Sequence, residues 1–153
     1  MNYELFSLGD VTLQSGQVLP GANLAYKTYG SLNADRSNAV LLPTFYTGTH
    51  IRNEMFFGPD RAINPEKHFI VSINMFGNGL SSSPSNTQAP ADRGHFPLVT
   101  LSDNVTCQKA LLESVFGIDK LLLVSGWSMG GCQTFQWAAQ YPERVENALP
   151  FCA

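Results

Sequence analysis

Short apolar runs separated by clusters of turn residues divide the chain into strand-sized and helix-sized pieces. Tyr3 to Leu8 and Val11 to Leu13 are rich in β-formers or alternate, with Gly9-Asp10 between them, and predict an N-terminal antiparallel hairpin. A third strand, Asn23 to Tyr29, ends at Gly30, and a turn-rich stretch from Asn33 to Asn38 leads into Ala39-Val40-Leu41-Leu42-Pro43. That last run has the pattern of a strand buried on both faces.

A loop from Thr44 to Asn53 follows, then a short helix around Glu54 to Ile63 closed by Asn64-Pro65, then another apolar strand, Phe69 to Ile73. From Asn74 to Pro97 the chain is dense in Gly, Ser, Asn and Pro and predicts no element of its own. A loop of this length in a compact domain is either a functional lid or a surface excursion, and the pattern leaves both open. Ser102 or Asp103 can cap a helix running to about Phe116, with Val105, Leu111, Leu112 and Val115 on its apolar face. Asp103 is read as a cap rather than a catalytic acid.

Lys120 to Ser125 predicts a strand, Met129 to Gln140 a helix stopped at Tyr141-Pro142, and Val145 to Phe151 a final short strand. Strands alternating with helices give an α/β fold with a mostly parallel sheet and right-handed crossovers. No helix follows the final strand to cover its outer face, and such an edge exposes unpaired backbone groups and invites association.

Composition narrows the function classes. The 153 residues, 44% of them hydrophobic, suit a single domain spanning residues 1–153. Only 14% are charged, below the roughly 25% usual for soluble domains, so apolar surface is expected to be covered by more chain or by a second subunit. A net charge of −3 without a lysine or arginine run offers no footprint for nucleic acid or an anionic membrane. Met1-Asn2-Tyr3-Glu4 does not start a secretory signal, and no apolar stretch approaches the roughly 20 residues of a membrane span, so the expected location is cytoplasmic. Cys107, Cys132 and Cys152 lack metal-ligand spacing and are expected to be buried free thiols, with no metal site. Asn104-Val105-Thr106 is taken as an accidental glycosylation sequon.

The chemistry concentrates at Gly126-Trp127-Ser128-Met129-Gly130-Gly131, between an apolar strand and an amphipathic helix. A G-x-S-x-G turn in that context projects the serine oxygen above the sheet edge and aims the next backbone N–H at a developing oxyanion. Ser128 is the candidate nucleophile and Met129 supplies one donor. The second comes from the loop Thr44-Phe45-Tyr46-Thr47-Gly48-Thr49-His50, from Phe45 or Tyr46, with Tyr46 preferred. Phe45, Thr47, Gly48, His50 and Trp127 are candidate pocket residues, the aromatic pair Phe45-Tyr46 as an acyl wall. A serine needs a histidine base oriented by a carboxylate. In folds with this elbow both follow the serine, yet His50, His68 and His95 all precede Ser128.

Nearly the whole chain resembles the N-terminal half of the homoserine O-acetyltransferase family, a branch of the α/β-hydrolases. The resemblance is carried by Ala25-Tyr26-Lys27-Thr28-Tyr29-Gly30, Asn38-Ala39-Val40-Leu41, Thr47-Gly48-Thr49-His50, Phe96-Pro97-Leu98-Val99-Thr100, Asp103 with Gln108, Phe116-Gly117-Ile118, and Ser128-Met129-Gly130-Gly131 on through Trp137 to Val145. It implies an α/β-hydrolase sheet that breaks off after the strand following the elbow helix. It also implies ping-pong acyl transfer: Ser128 takes an acetyl group from acetyl-CoA, a substrate rather than a tightly bound cofactor, and passes it to an acceptor hydroxyl. The implied partners are thus a small acyl donor and acceptor. Trp127 stands where the family pattern has a second glycine, and Thr44-Phe45-Tyr46 replaces its His-Ala-Leu. The family places its aspartate, histidine, lid and acceptor-binding residues after the point matching Ala153. A serine esterase on the same scaffold is the alternative, and a non-catalytic remnant or interaction module is a third reading.

Overall fold

The computed structural model describes residues 2–153; Met1, part of the N-terminal stretch read above, lies outside the described residues. A six-stranded mixed sheet runs in the order β1-β2-β4-β3-β5-β6. Its strands are β1 (Glu4–Thr12), β2 (Val18–Tyr29), β3 (Ala39–Pro43), β4 (Phe69–Ile73), β5 (Leu123–Trp127) and β6 (Ala148–Phe151). Strands β4, β3, β5 and β6 are mutually parallel, while β1 and β2 pair antiparallel and β2 pairs antiparallel with β4.

The N-terminal hairpin is present but its turn lies elsewhere. Gly9-Asp10 does not reverse the chain: Gly9, at φ 68°, sits at a register shift inside one continuous strand, where a glycine relieves a bulge. The reversal comes after Thr12, closed by Leu13 N–H donating to Gln17 O and Gly16 N–H to Leu13 O. The helix expected over Glu54 to Ile63 shrinks to α1 (His50–Asn53) and one 3-10 turn, Glu54–Phe56. Phe57 ends it by taking extended backbone at φ −135° and ψ 162°, and Gly58-Pro59 follows, a pair that disfavours a return to helix.

Helix α2 (Leu101–Phe116) is capped by Thr100, not Ser102 or Asp103. Asp103 is the third residue of a capping box: its carboxylate accepts from the Thr100 N–H and the Thr100 hydroxyl accepts from the Asp103 N–H. It also accepts from Gln14 N–H at 2.7 Å, tying the helix start to the hairpin turn. Asn104 is buried and bonds the Phe76 N–H and Thr100 O, so the sequon is structural. Of the three free cysteines, Cys107 is buried, its thiol pushed up to about 12 chiefly by burial; Cys132 is half-buried and Cys152 exposed.

Helices α2 and α3 (Met129–Gln140) pack on each other and close a core of Leu24, Leu41, Val71, Leu111, Val124 and Trp137 among others. The other sheet face holds only a small cluster, Val40, Leu42 and Ile70. Beside it lies an open groove of about 380 Å³ lined by Ile63, Leu123, Leu149 and Phe151 among others. Among the described residues β6 is the sheet edge, as expected, and Leu149 is exposed.

From Asn74 to Pro97 the chain forms no strand, and one 3-10 turn, Arg93–His95. Its first third is not a free excursion. Ser81 and Ser82 are buried and their hydroxyls accept from the Ala25 and Asn23 N–H groups of β2, while Asn74 N–H donates to Ala25 O.

Candidate active site

Strand β3 is flanked by β4 on one side and β5 on the other, so the chain leaves β3 in one direction along the sheet and returns past it in the other. The carboxyl ends of strands at such a switch point frame the usual ligand crevice of an α/β sheet. Two segments meet there: the loop after β3, residues 44–50, and the turn from β5 into α3.

Ser128 occupies that turn with φ 54° and ψ −125°, a conformation costly for a residue with a Cβ. The strand runs further than its apolar run suggests, taking in Gly126 and Trp127, so the whole reversal falls on Ser128. Any Cβ on Gly126 would overlap the Gly130 carbonyl, and one on Gly130 would sit 2.7 Å from Pro43 O. These contacts bring the first turn of α3 against the end of β3. Ser128 N–H donates to Phe151 O, and the N–H groups of Met129, Gly130 and Gly131 are first-turn donors without intrahelical partners.

In the 44–50 loop, Thr44 N–H donates to Ile73 O and Gly48 N–H to Phe45 O. The N–H groups of Phe45, Tyr46 and Thr47 find no acceptor among the described residues. Thr47 takes a positive φ of 63°, and Gly48 lies under the Phe45 ring, which a Cβ would meet at 2.6 Å. The expected Phe45-Tyr46 wall does not form as a pair. Phe45 is buried, edge-on to Trp127 at 4.8 Å, whereas the Tyr46 side chain is 74% exposed. The aromatic surface is completed by residues the sequence did not single out: Phe56 lies 6.5 Å from Trp127 and 5.3 Å from Phe151. Phe151 is brought there by pairing directly with Trp127 across β5 and β6.

His50 is turned into the body of the protein, 1% exposed, rather than forming an open wall. Its N–H donates to Asn74 Oδ1 at 3.0 Å, and Asn74 Nδ2 approaches its Nδ1 at 3.2 Å. An amide nitrogen can only donate, so Nδ1 accepts and the ring proton stands on Nε2. The Asn2 backbone lies near the ring, and among the described residues Nε2 has no hydrogen-bond partner of good geometry. Burial holds the imidazole below its ordinary pKa, against the opposing effect of Asn74. His68 accepts from Asn64 N–H through Nδ1, and His95 is exposed on its 3-10 turn. None of the three hydrogen-bonds Ser128.

The loop is held by amide side chains that neither hydropathy nor motif spacing reveals. Asn53 Nδ2 donates to Leu42 O and to Ser72 Oγ, and Asn78 Nδ2 to Asn74 Oδ1 and Gly48 O. Gln133 Nε2 donates to Thr44 O at 2.8 Å. Among the described residues no group of three or more His, Cys, Asp or Glu could hold a metal ion, and no helix is long and apolar enough to cross a membrane.

Over 147 residues the chain is 44% identical to the ethyl acetate hydrolase of Pseudomonas veronii, a match covering 95% of this chain and 42% of that protein. It is 36% identical over 157 residues to a homoserine O-acetyltransferase of Geobacter sulfurreducens, covering 92% and 42%. The solved structure of an acetylester hydrolase from Corynebacterium glutamicum superposes with a TM-score of 0.91 at 46% identity, over 94% of this chain and 42% of that one. The chain therefore spans under half the length of the relatives it matches, and the ester hydrolases carry the higher identity. The alpha/beta hydrolase fold family matches residues 40–149, a span that runs from β3 through both halves of the crevice into β6, and the chain belongs to that family of enzymes, with homoserine O-acetyltransferases among its relatives.

Proposed function

We propose that the protein is a serine esterase for small acyl esters, acetyl esters foremost, with Ser128 as the nucleophile. The observation that carries this reading is the strained Ser128 at the switch point, at the start of a helix whose first N–H groups are unpaired. Ser128 Oγ adds to the ester carbonyl, and the negative charge that moves to the carbonyl oxygen is met by the Met129 N–H and by an N–H of the Phe45–Tyr46 pair. Collapse breaks the bond to the alkoxide oxygen, which leaves as the alcohol with the proton that Ser128 gave up to the general base, and the acyl-serine that remains is cleaved by water to the acid and free Ser128. Phe45, Phe56, Trp127 and Phe151 bound the acyl side, with Thr47 and Gly48 in the adjoining loop.

The general base is none of His50, His68 and His95. The reading assigns it and its carboxylate to the additional length that the relatives have, a length that would also cover the apolar groove. A second copy of the chain is the other candidate cover.

The esterase reading displaces the expected acyl transfer because hydrolases of acetyl esters match at 44–46% identity and the acetyltransferase at 36%. Transfer from acetyl-CoA to a hydroxyl is retained as the second reading on the strength of that 36% match. Under the esterase reading no coenzyme takes part. The test uses the full gene product with an acetyl ester of a chromogenic phenol. Ser128→Ala is expected to lower turnover by about 10³-fold or more, and unchanged turnover overturns the serine assignment. An esterase releases free acid whether or not an alcohol is present, whereas a transferase diverts the acyl group at modest alcohol concentration.

A further inference from the structure

Three fully buried polar side chains form a chain that the proposed chemistry does not yet use. Trp137 Nε1 donates to Gln108 Oε1 at 2.8 Å, Gln108 Nε2 to Gln133 Oε1 at 2.6 Å, and Gln133 Nε2 to Thr44 O at 2.8 Å and Met129 O at 3.3 Å. All three are at most 1% exposed. Burying two primary amides where leucines would pack is costly unless every group is satisfied. Here the satisfaction is directional. An indole N–H can only donate, so Gln108 must present its oxygen to Trp137 and its nitrogen to Gln133. Gln133 must then present oxygen to Gln108 and nitrogen to Thr44. Neither amide can flip, and the Thr44 carbonyl always meets a donor.

The end of this chain matters more than its middle. The Thr44 carbonyl and the Phe45 N–H are opposite ends of one planar peptide group, so a bond that fixes one fixes the direction of the other. The remaining polar groups of Thr44 are also engaged, its N–H with Ile73 O and its hydroxyl with Met75 N–H. Phe45 N–H is the free group of that peptide. The same Gln133 amide reaches the Met129 carbonyl one turn back on α3, so one side chain spans both segments of the crevice.

We infer that Gln133 is a positioning residue for the oxyanion hole, holding the Thr44–Phe45 peptide in register with the first turn of α3 so that the Phe45 N–H serves as the second donor. This rests on the serine reading above for its catalytic consequence and on the hydrogen bonds alone for its positional one. Gln108, held in turn by Trp137, satisfies its buried oxygen, while the Thr44 and Met129 carbonyls, which can only accept, themselves keep its nitrogen toward the loop.

The experiment measures amide hydrogen exchange and ester hydrolysis on the full gene product in native, Gln133→Met, Gln108→Met and Ser128→Ala forms. In Gln133→Met the amides of Thr44, Gly48 and Met75 should exchange about tenfold faster or more, with β1–β2 amides unaffected. Its kcat should fall about 10- to 100-fold, the scale of a misplaced catalytic group, with KM within about twofold. Gln108→Met also breaks buried hydrogen bonds and should lower the unfolding midpoint comparably, but it leaves the Gln133 donor in place and should hold kcat within about threefold. Should Gln133→Met not fold, the double variant Gln108→Leu/Gln133→Met, which strands neither amide, also removes the donor toward Thr44 and carries the same expectation. Unchanged exchange at the three amides, or equal kcat losses in the two glutamine variants, overturns the inference. Faster exchange with hydrolysis indifferent to Ser128→Ala leaves the positioning role standing and removes the serine reading instead.

Discussion

The two segments that meet at the crevice are built by opposite means. The elbow is fixed by steric exclusion: Gly126 and Gly130 touch backbone to backbone, Gly130 sits on Pro43 O, and Ser128 is forced to φ 54°. The 44–50 loop is fixed by hydrogen bonds from distant side chains, Asn74 on His50 across 24 residues and Gln133 on Thr44 across 89. A sterically fixed turn should fail abruptly when a methyl is added. A hydrogen-bonded loop should loosen by degrees as its donors are removed one at a time.

The largest expected effect comes from breaking the steric half. Gly126→Ala places a methyl inside the Gly130 carbonyl and should destabilise by about 3 kcal/mol or more, as severe overpacking does; chemical denaturation measures it, and a loss below about 1 kcal/mol would mean that the helix start can slide. Next comes the polar half. Asn74→Leu strands the His50 N–H and Nδ1, while the Ala25 carbonyl keeps the backbone N–H of residue 74, and about 2 to 3 kcal/mol should be lost from buried groups left unpaired. Its hydrogen exchange should rise around residues 48–50 while the α3 amides stay protected. If α3 loosens equally, the two halves are not independent.

Smaller and opposite in sign is the release of strain. Ser128→Gly should stabilise by about 1 kcal/mol, since glycine takes positive φ without the penalty of a Cβ, while abolishing hydrolysis; a neutral or destabilising result would place the stress elsewhere. The smallest concerns His50. Burial favours its neutral form, so its folded pKa lies below 6.5. Its contribution to stability is then full above pH 6.5 and declines as the pH falls from there toward the folded value, because the unfolded chain binds the extra proton first. Unfolding midpoints measured across that window should decline on acidification, and His50→Gln should flatten the slope.

The strands of the parallel sheet were legible because β3 is an uninterrupted apolar run and β4 one broken only by Ser72, and the elbow because its glycines stand two positions either side of the serine. The N-terminal hairpin was legible as an element but misplaced in its turn, since Gly9 serves equally as a turn or a bulge and only the pairing with β2 decides. The helix start shifted to Thr100 because Thr100 and Asp103 cap each other, which a search for a single capping residue misses. His50 read as a possible pocket residue and proved buried, because a histidine in a loop carries no mark of which way its ring faces.

The sequence by itself determined the apolar strand runs, the presence of the serine turn and the family, because hydropathy period and the spacing of glycines about a serine are local properties of the chain. The tertiary structure alone decided that Phe151 and Phe56 join Trp127, that Tyr46 faces solvent while Phe45 is buried, and that Gln108, Gln133 and Trp137 converge on the Thr44 carbonyl. The physical reason is that asparagine and glutamine look alike on a surface or in a core until a partner is assigned to each of their hydrogen-bonding atoms, and those partners come from other strands and helices.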